Sequence, residues 1–176
     1  MSARISHRTA LKAARALSDA GWTTAGQMAD SRWEDRVETL NAAGYARYDE
    51  STARMLGDTA RLLCDAHGGD LRNLRAESDR DPQAERRALK DFKGIGDVGA
   101  DIFFRELQAA WSEHFPFMDD PARAAARRLG VPATPQALAE RVAPERFLRI
   151  VTALVRTGLE GVERADLLEG SERTTR

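Results

Sequence analysis

Residues 91–103 read DFKGIGDVGADIF and place Gly94, Gly96 and Gly99 at the spacing GxGxxG. Glycines so spaced let a backbone come close to a phosphate, and two kinds of turn use them. One runs from a strand into a helix and holds a dinucleotide. The other joins two helices and grips a nucleic-acid backbone. The dinucleotide turn needs a strand ahead of it, and the residues upstream, DPQAERRALKDF, form a charged amphipathic helix instead. Asp119 does stand about twenty positions after the last glycine, as that fold requires. In a chain with 28 acidic residues such agreement carries little weight. Helix–glycine turn–helix is the reading that survives. Leu89 and Phe92 face the core, while Arg86, Lys90 and Lys93, four and three apart, share another face that leads into the glycines. An ordinary turn between two helices, with a solvated basic face, has the same spacing. Asp97 sits inside the turn and opposes a phosphate there, unless its carboxylate is spent as a helix N-cap.

Helices must position these residues. Ser31 and Glu34 have the spacing of a capping box before WEDRVETLNAAG, which Gly44 closes. Met55, Leu56, Leu62 and Leu63 recur at helical spacing up to Gly68 and Gly69. Asp81-Pro82, Asp120-Pro121, Thr134-Pro135 and Ala143-Pro144 each open a further helix with proline in its first turn. In GADIFFRELQAAW, Ile102, Phe103, Leu107 and Ala110 are expected on one side. The last long apolar helix is RFLRIVTALVRTGLE, and the tail SERTTR is expected to fray. No segment alternates as a half-buried strand would. The expected fold class is all-α, with roughly nine helices.

Composition narrows the function. Hydrophobic residues make up 42% of the 176, enough for a real core, and the net charge of −1 gives little general attraction to nucleic acid. A local basic patch is still compatible with such binding. The single cysteine, Cys64, excludes a disulfide within the chain and any four-cysteine cluster built by this chain alone; it is expected to be buried in a helix. No apolar run reaches the length of a membrane span, and the start MSARISHRTALKAARAL lacks the apolar core of a signal peptide, so a cytoplasmic protein is expected.

With these residues in view, LKDFKGIGDVGADIFFREL resembles the helix-hairpin-helix of the endonuclease III superfamily of DNA glycosylases. Upstream, LNAAGYARYDESTARMLGDTARLLCDAHGGDL is similar to the family's glycine–tyrosine turn and long helix. Downstream, FPFMDDPARAAARRLG is similar to the family segment that carries its invariant aspartate. Anchoring on Arg128-Leu129-Gly130 puts Asp119 on that aspartate. The resemblance spans about residues 25–160. It implies a two-lobed helical fold with duplex DNA between the lobes. The central lobe would be about residues 23–111, with its hairpin at about 84–110. The other would combine 1–22 with 112–176. Family members flip a damaged or mispaired base from the duplex and cleave its N-glycosidic bond.

The departures shape the expected activity. Val98 stands where the bifunctional members carry a nucleophilic lysine, and an alkyl side chain forms no Schiff base, so lyase activity is not expected. Gly99 replaces the family's threonine or serine, Lys93 its proline, and the four-cysteine iron–sulfur cluster is absent. The resemblance implies a monofunctional glycosylase without a cofactor or side-chain metal site, in which Asp119 is the catalytic carboxylate and Asp120 the second choice. A carboxylate ~4 Å from the positive charge that builds on the sugar contributes about 4 kcal/mol at an effective dielectric near 20. Asp120, directly before Pro121, is expected to cap the helix, leaving Asp119 without that task. Gly94, Gly96, Gly99, Arg86, Lys90 and Lys93 would hold the DNA backbone. Tyr45, Tyr48, Trp111, His114 and Phe117 are pocket or base-stacking candidates, with packing the rival role for each, and His114 alone reads as a surface histidine. A monovalent cation on hairpin carbonyls would leave no trace in the sequence. The partner expected is duplex DNA, the state a monomer, cytoplasmic and on the nucleoid when bound. A DNA-binding protein of the same fold without excision is the rival function.

Overall fold

In a computed structural model of the chain, residues 6–161 are described, with His7 as backbone only. The terminal residues 171–176, expected to fray, lie outside them. The described residues form ten α-helices and one 3-10 turn, with no strand among them. The helices are α1 (His7–Asp19), α2 (Ala25–Asp30), α3 (Trp33–Ala42), α4 (Asp49–His67), α5 (Leu71–Glu77), α6 (Pro82–Lys90), α7 (Asp97–Leu107), α8 (Asp120–Leu129), α9 (Pro135–Ala139) and α10 (Pro144–Glu160), with the 3-10 turn at Ser112–His114. None of them is long and apolar enough to cross a membrane.

The chain divides into two compact units, Met1–Ile95 and Gly96–Arg176. This boundary lies inside the glycine turn rather than at residue 111, and α1 belongs with α3 in the first unit. In that unit α4 packs against α2 and α3. Its buried line is Ala53, Gly57 and Ala60, small residues that let neighbours approach closely; Met55 and Leu56 are only partly buried. Leu40 and Leu74 are buried to 1% and 0% exposure, worth about 2 kcal/mol each relative to water. On α6 the inward stripe is Glu85 and Leu89, continued by Phe92, so a wholly buried glutamate joins the two apolar residues expected there. Cys64 is half-buried rather than buried.

In the second unit, α8 contributes Ala122, Ala125, Ala126 and Leu129 to a core that α10 completes with Phe147, Val151 and Leu154, together with Met118 and Leu138. The buried line of α7 and its continuation is Ala100, Phe104, Gln108 and Trp111, spaced four, four and three. Of the four residues expected on one side, Phe103 and Leu107 are half-buried, while Ile102, at 47%, and Ala110 are exposed.

Local signals set several boundaries correctly. Asp81 caps α6 through Gln83 and Ala84 N–H, Thr134 caps α9 through Ala137 N–H, and Gly68, Gly130 and Gly161 end α4, α8 and α10 in the left-handed region. The box expected at Ser31 and Glu34 does not form. Arg32 is the N-cap of α3 and lends no side chain, because the Ser31 hydroxyl donates to Met28 O and accepts from Arg36. The capping box lies one helix earlier, at Thr24 and Gln27.

The Asp81 cap gives a pH test. Hydrogen bonds from Ala84 and then Gln83 N–H hold its carboxyl below the usual aspartate range. A depressed folded value means that the contribution is complete above the unfolded aspartate pKa and is lost as pH falls through the folded one. Asp81→Asn keeps an acceptor that does not titrate. The parent's advantage in urea midpoint over this variant is expected to fall on acidification; an advantage constant with pH would refute the assignment.

Candidate nucleic-acid interface

The glycine turn is built by what α6 cannot continue. Asp91 closes α6, and Ile95 N–H donates to Phe92 O at 3.0 Å, reversing the chain. Gly94 has φ +93°, where a Cβ is strained, and a Cβ there would lie 2.8 Å from Met55 Sδ on α4. Glycine at 94 is therefore required by the fold. Gly96 differs. Its backbone is extended (φ −101°, ψ −166°), and an added Cβ would meet nothing within 4 Å. Gly99 lies within α7 as ordinary helix.

Gly96 is the N-cap of α7 and, being glycine, lends no side-chain hydrogen bond to that start. Asp97, expected as a possible N-cap, is instead the first helical residue. The first-turn N–H groups of such a helix lack intrahelical acceptors and carry its positive dipole end. Val98 and Ile102, one turn apart, stand exposed on this helix, Val98 at 72%. Arg86 and Lys90 lie on α6, and Lys93 beyond its end. Lys93 Nζ lies 3.8 Å from Asp58 Oδ2 on α4, and Asp58 Oδ1 accepts from Arg61 Nη2 at 2.6 Å. Neither Asp58 nor Arg61 was legible as part of the turn, since only packing of α4 beneath it brings them there.

Asp119 is the site where local reading erred. It is the N-cap of α8: Oδ1 accepts from Ala122 N–H at 3.2 Å. Asp120, expected to cap, is the first helical residue and exposed. Oδ2 of Asp119 accepts from Arg105 Nη1 at 2.5 Å, and the carboxylate is 3% exposed as a residue. Arg105, itself only 11% exposed in its side chain, also donates from Nε to Glu106 at 3.0 Å. Both Asp119 oxygens are thus engaged within the second unit. Its capping role and its guanidinium partner leave it fixed, screened from solvent and charge-compensated.

The segment leading to Asp119 is anchored by Gln108. Its Oε1 accepts from Phe117 N–H at 2.9 Å, and its Nε2 donates to Phe117 O at 3.1 Å and Arg105 O at 2.8 Å. Within it His114 is buried, not a surface residue, and stacks on Phe104 at 4.1 Å between centroids. Trp111 is buried beside His114, and Phe117 meets Phe104 edge-on. Trp111 and His114 therefore pack on each other, and all three candidates pack on α7. Tyr45 packs on the core of the first unit. Tyr48 precedes α4 and, with Arg47 and Arg54, lines a shallow depression of about 430 Å³; the Arg47 guanidinium lies 5.5 Å over its ring.

No protein-family model matches the chain, and neither does any curated protein or solved structure.

Proposed function

We propose that the chain binds the backbone of duplex DNA through the glycine turn between α6 and α7. The observation that carries this reading is Gly96. The fold does not need glycine there, since any residue adopts its backbone and a Cβ has open space. A bare backbone at the start of a helix is what a closely approaching phosphate requires. Lys90 and Lys93 stand six and three residues before Gly96 in the chain. The likeness of this stretch to the helix-hairpin-helix of the DNA glycosylases points the same way. Glycine is also tolerated as an N-cap, and the test separates the two explanations. Gly96→Ser caps better and Gly96→Glu adds a negative charge, and the Cβ of either has open space. Gly96→Glu and Lys93→Glu are each expected to weaken duplex binding by roughly tenfold, with a shallower salt dependence. If both bind as the parent does, the turn is not the DNA clamp.

Base excision by a monofunctional glycosylase is the second reading. It is favoured by a rigid carboxylate, Asp119, held at the start of α8 where the family resemblance puts its aspartate. Against it stands Arg105, whose charge compensates the one the carboxylate would offer to a developing sugar cation. Duplexes bearing uracil, alkylated purines, oxidised bases or mismatches, incubated with the protein and then treated with hot alkali, decide between the two. Alkali-dependent breaks that Asp119→Asn abolishes while remaining folded establish excision. Binding without breaks leaves DNA recognition as the function.

A further inference from the structure

We infer that α4 extends the backbone-binding surface beyond the turn: Arg61 and Lys93 form a two-cation phosphate site, and Asp58 is its built-in competitor. The inference rests on the reading of the turn as a DNA clamp and adds residues to it. The geometry is confined to the first unit. Asp58 stands between two cations, with Oδ1 at 2.6 Å from Arg61 Nη2 and Oδ2 at 3.8 Å from Lys93 Nζ. The three side chains are 34%, 50% and 66% exposed, so solvent and a ligand both reach them. Met55, one turn before Asp58 on α4, lies against Gly94 and fixes this helix directly beneath the turn.

Exposed pairs of this kind add little to stability. Their electrostatic consequence for a ligand is larger. A phosphate oxygen that approached Lys93 and Arg61 would meet the place the Asp58 carboxylate now occupies. It must displace that carboxylate or share its cations, and each route lowers the gain from counterion release. Asp58 thus makes the site discriminating: a phosphate that makes only weak contacts with the two cations does not outcompete it. Arg36, buried on α3, senses both groups, with Arg61 lowering and Asp58 raising its proton affinity.

The test is duplex affinity by fluorescence anisotropy, over a range of salt and well below the melting temperature, for Asp58→Asn, Arg61→Ala and Asp65→Asn. Asp65 is exposed on the same helix, and its replacement changes the net charge by the same amount. Asp58→Asn is expected to bind about threefold tighter, the scale of one exposed ion pair, and Asp65→Asn to stay near the parent. Arg61→Ala is expected to bind about threefold weaker, with the log–log salt slope reduced by about one. If Asp58→Asn is no tighter than Asp65→Asn, or Arg61→Ala binds as the parent does, the two-cation site is overturned. If that happens while Lys93→Glu and Gly96→Glu still weaken binding, the clamp survives and only its extension fails. A parent that binds no duplex removes both.

Discussion

Replacing Arg36 by methionine is expected to lower the unfolding free energy by about 3 kcal/mol, read as a shift in urea midpoint at unchanged slope. Arg36 is 2% exposed. Its Nε donates to Ala53 O at 2.9 Å, and its Nη1 donates to Ser31 O at 2.6 Å, Ser31 Oγ at 2.8 Å and Met28 O at 3.2 Å. One guanidinium therefore ties α2, α3 and α4 together. It also serves the carbonyl end of α2, a helix of only six residues with several carbonyls that lack helical partners. Methionine fills the space but removes the donors to Ser31 O and Ala53 O, while Met28 O keeps the Ser31 hydroxyl; a lost donor to a buried or half-buried carbonyl costs about 1–3 kcal/mol. Burial pulls the Arg36 pKa below the usual arginine range, and the charge of Arg61 adds to that. Lysine at 36 keeps the charge without the planar fork and is expected to recover only part of the loss. Gly57→Ala probes the same contact from the other side. Its Cβ would lie 2.5 Å from Arg36 Nη2 and 2.9 Å from Cζ, in a guanidinium that hydrogen bonds from Nε and Nη1 hold in place. The expected cost is about 2 kcal/mol, and much less when position 36 is already methionine. Additive losses in the double variant would show that the two residues do not press on one another.

Asp119→Asn is expected to cost about 2–3 kcal/mol, whether or not the protein cuts DNA. Asparagine is a good N-cap and keeps the bond from Ala122 N–H. It removes the Asp119 counter-charge from Arg105, while the half-exposed Glu106 stays 3.0 Å from Arg105 Nε. Asp119→Ala loses the cap as well, about 1 kcal/mol more. Arg105→Gln should cost a similar amount to Asp119→Asn, and the double variant less than the sum, as for any pair that shares one interaction. A loss under about half a kcal/mol for Asp119→Asn, with its fold intact, would deny the carboxylate its structural role. Excision assays on this variant are informative only beside its unfolding curve, since a missing activity can reflect missing protein.

These two sites show which parts of the molecule were legible in sequence. The all-helical class, the ends of α4 and α8 and the caps at Asp81 and Thr134 follow from residues within a turn of one another. Such signals are written locally. The errors lie where a distant side chain decides. Asp119 and Asp120 both fit the start of α8, because proline is tolerated in either of the first two positions. Arg105, fourteen residues away, selects Asp119. Ser31 and Glu34 have the right spacing for a capping box, but Arg36 and Met28 take the hydroxyl. The expected stripe on α4 followed its large residues, whereas the packed face is Ala53, Gly57 and Ala60, because the guanidinium of Arg36 occupies the space beside Gly57. In the turn, three glycines looked equivalent. Only backbone angles and the space around each separate the one the fold requires, Gly94, from the one it merely permits, Gly96.

The second unit's core divides bulk unequally between two helices: alanines on α8, and Phe147, Val151 and Leu154 on α10. Packed interiors conserve total volume more strictly than the volume at any one position. Divergent descendants of this chain should therefore show changes at 122, 125 and 126 accompanied by opposite changes at 147, 151 and 154. The seam between α8 and α10 would be inherited as a unit, and its history would be read in pairs of positions rather than in single conserved letters.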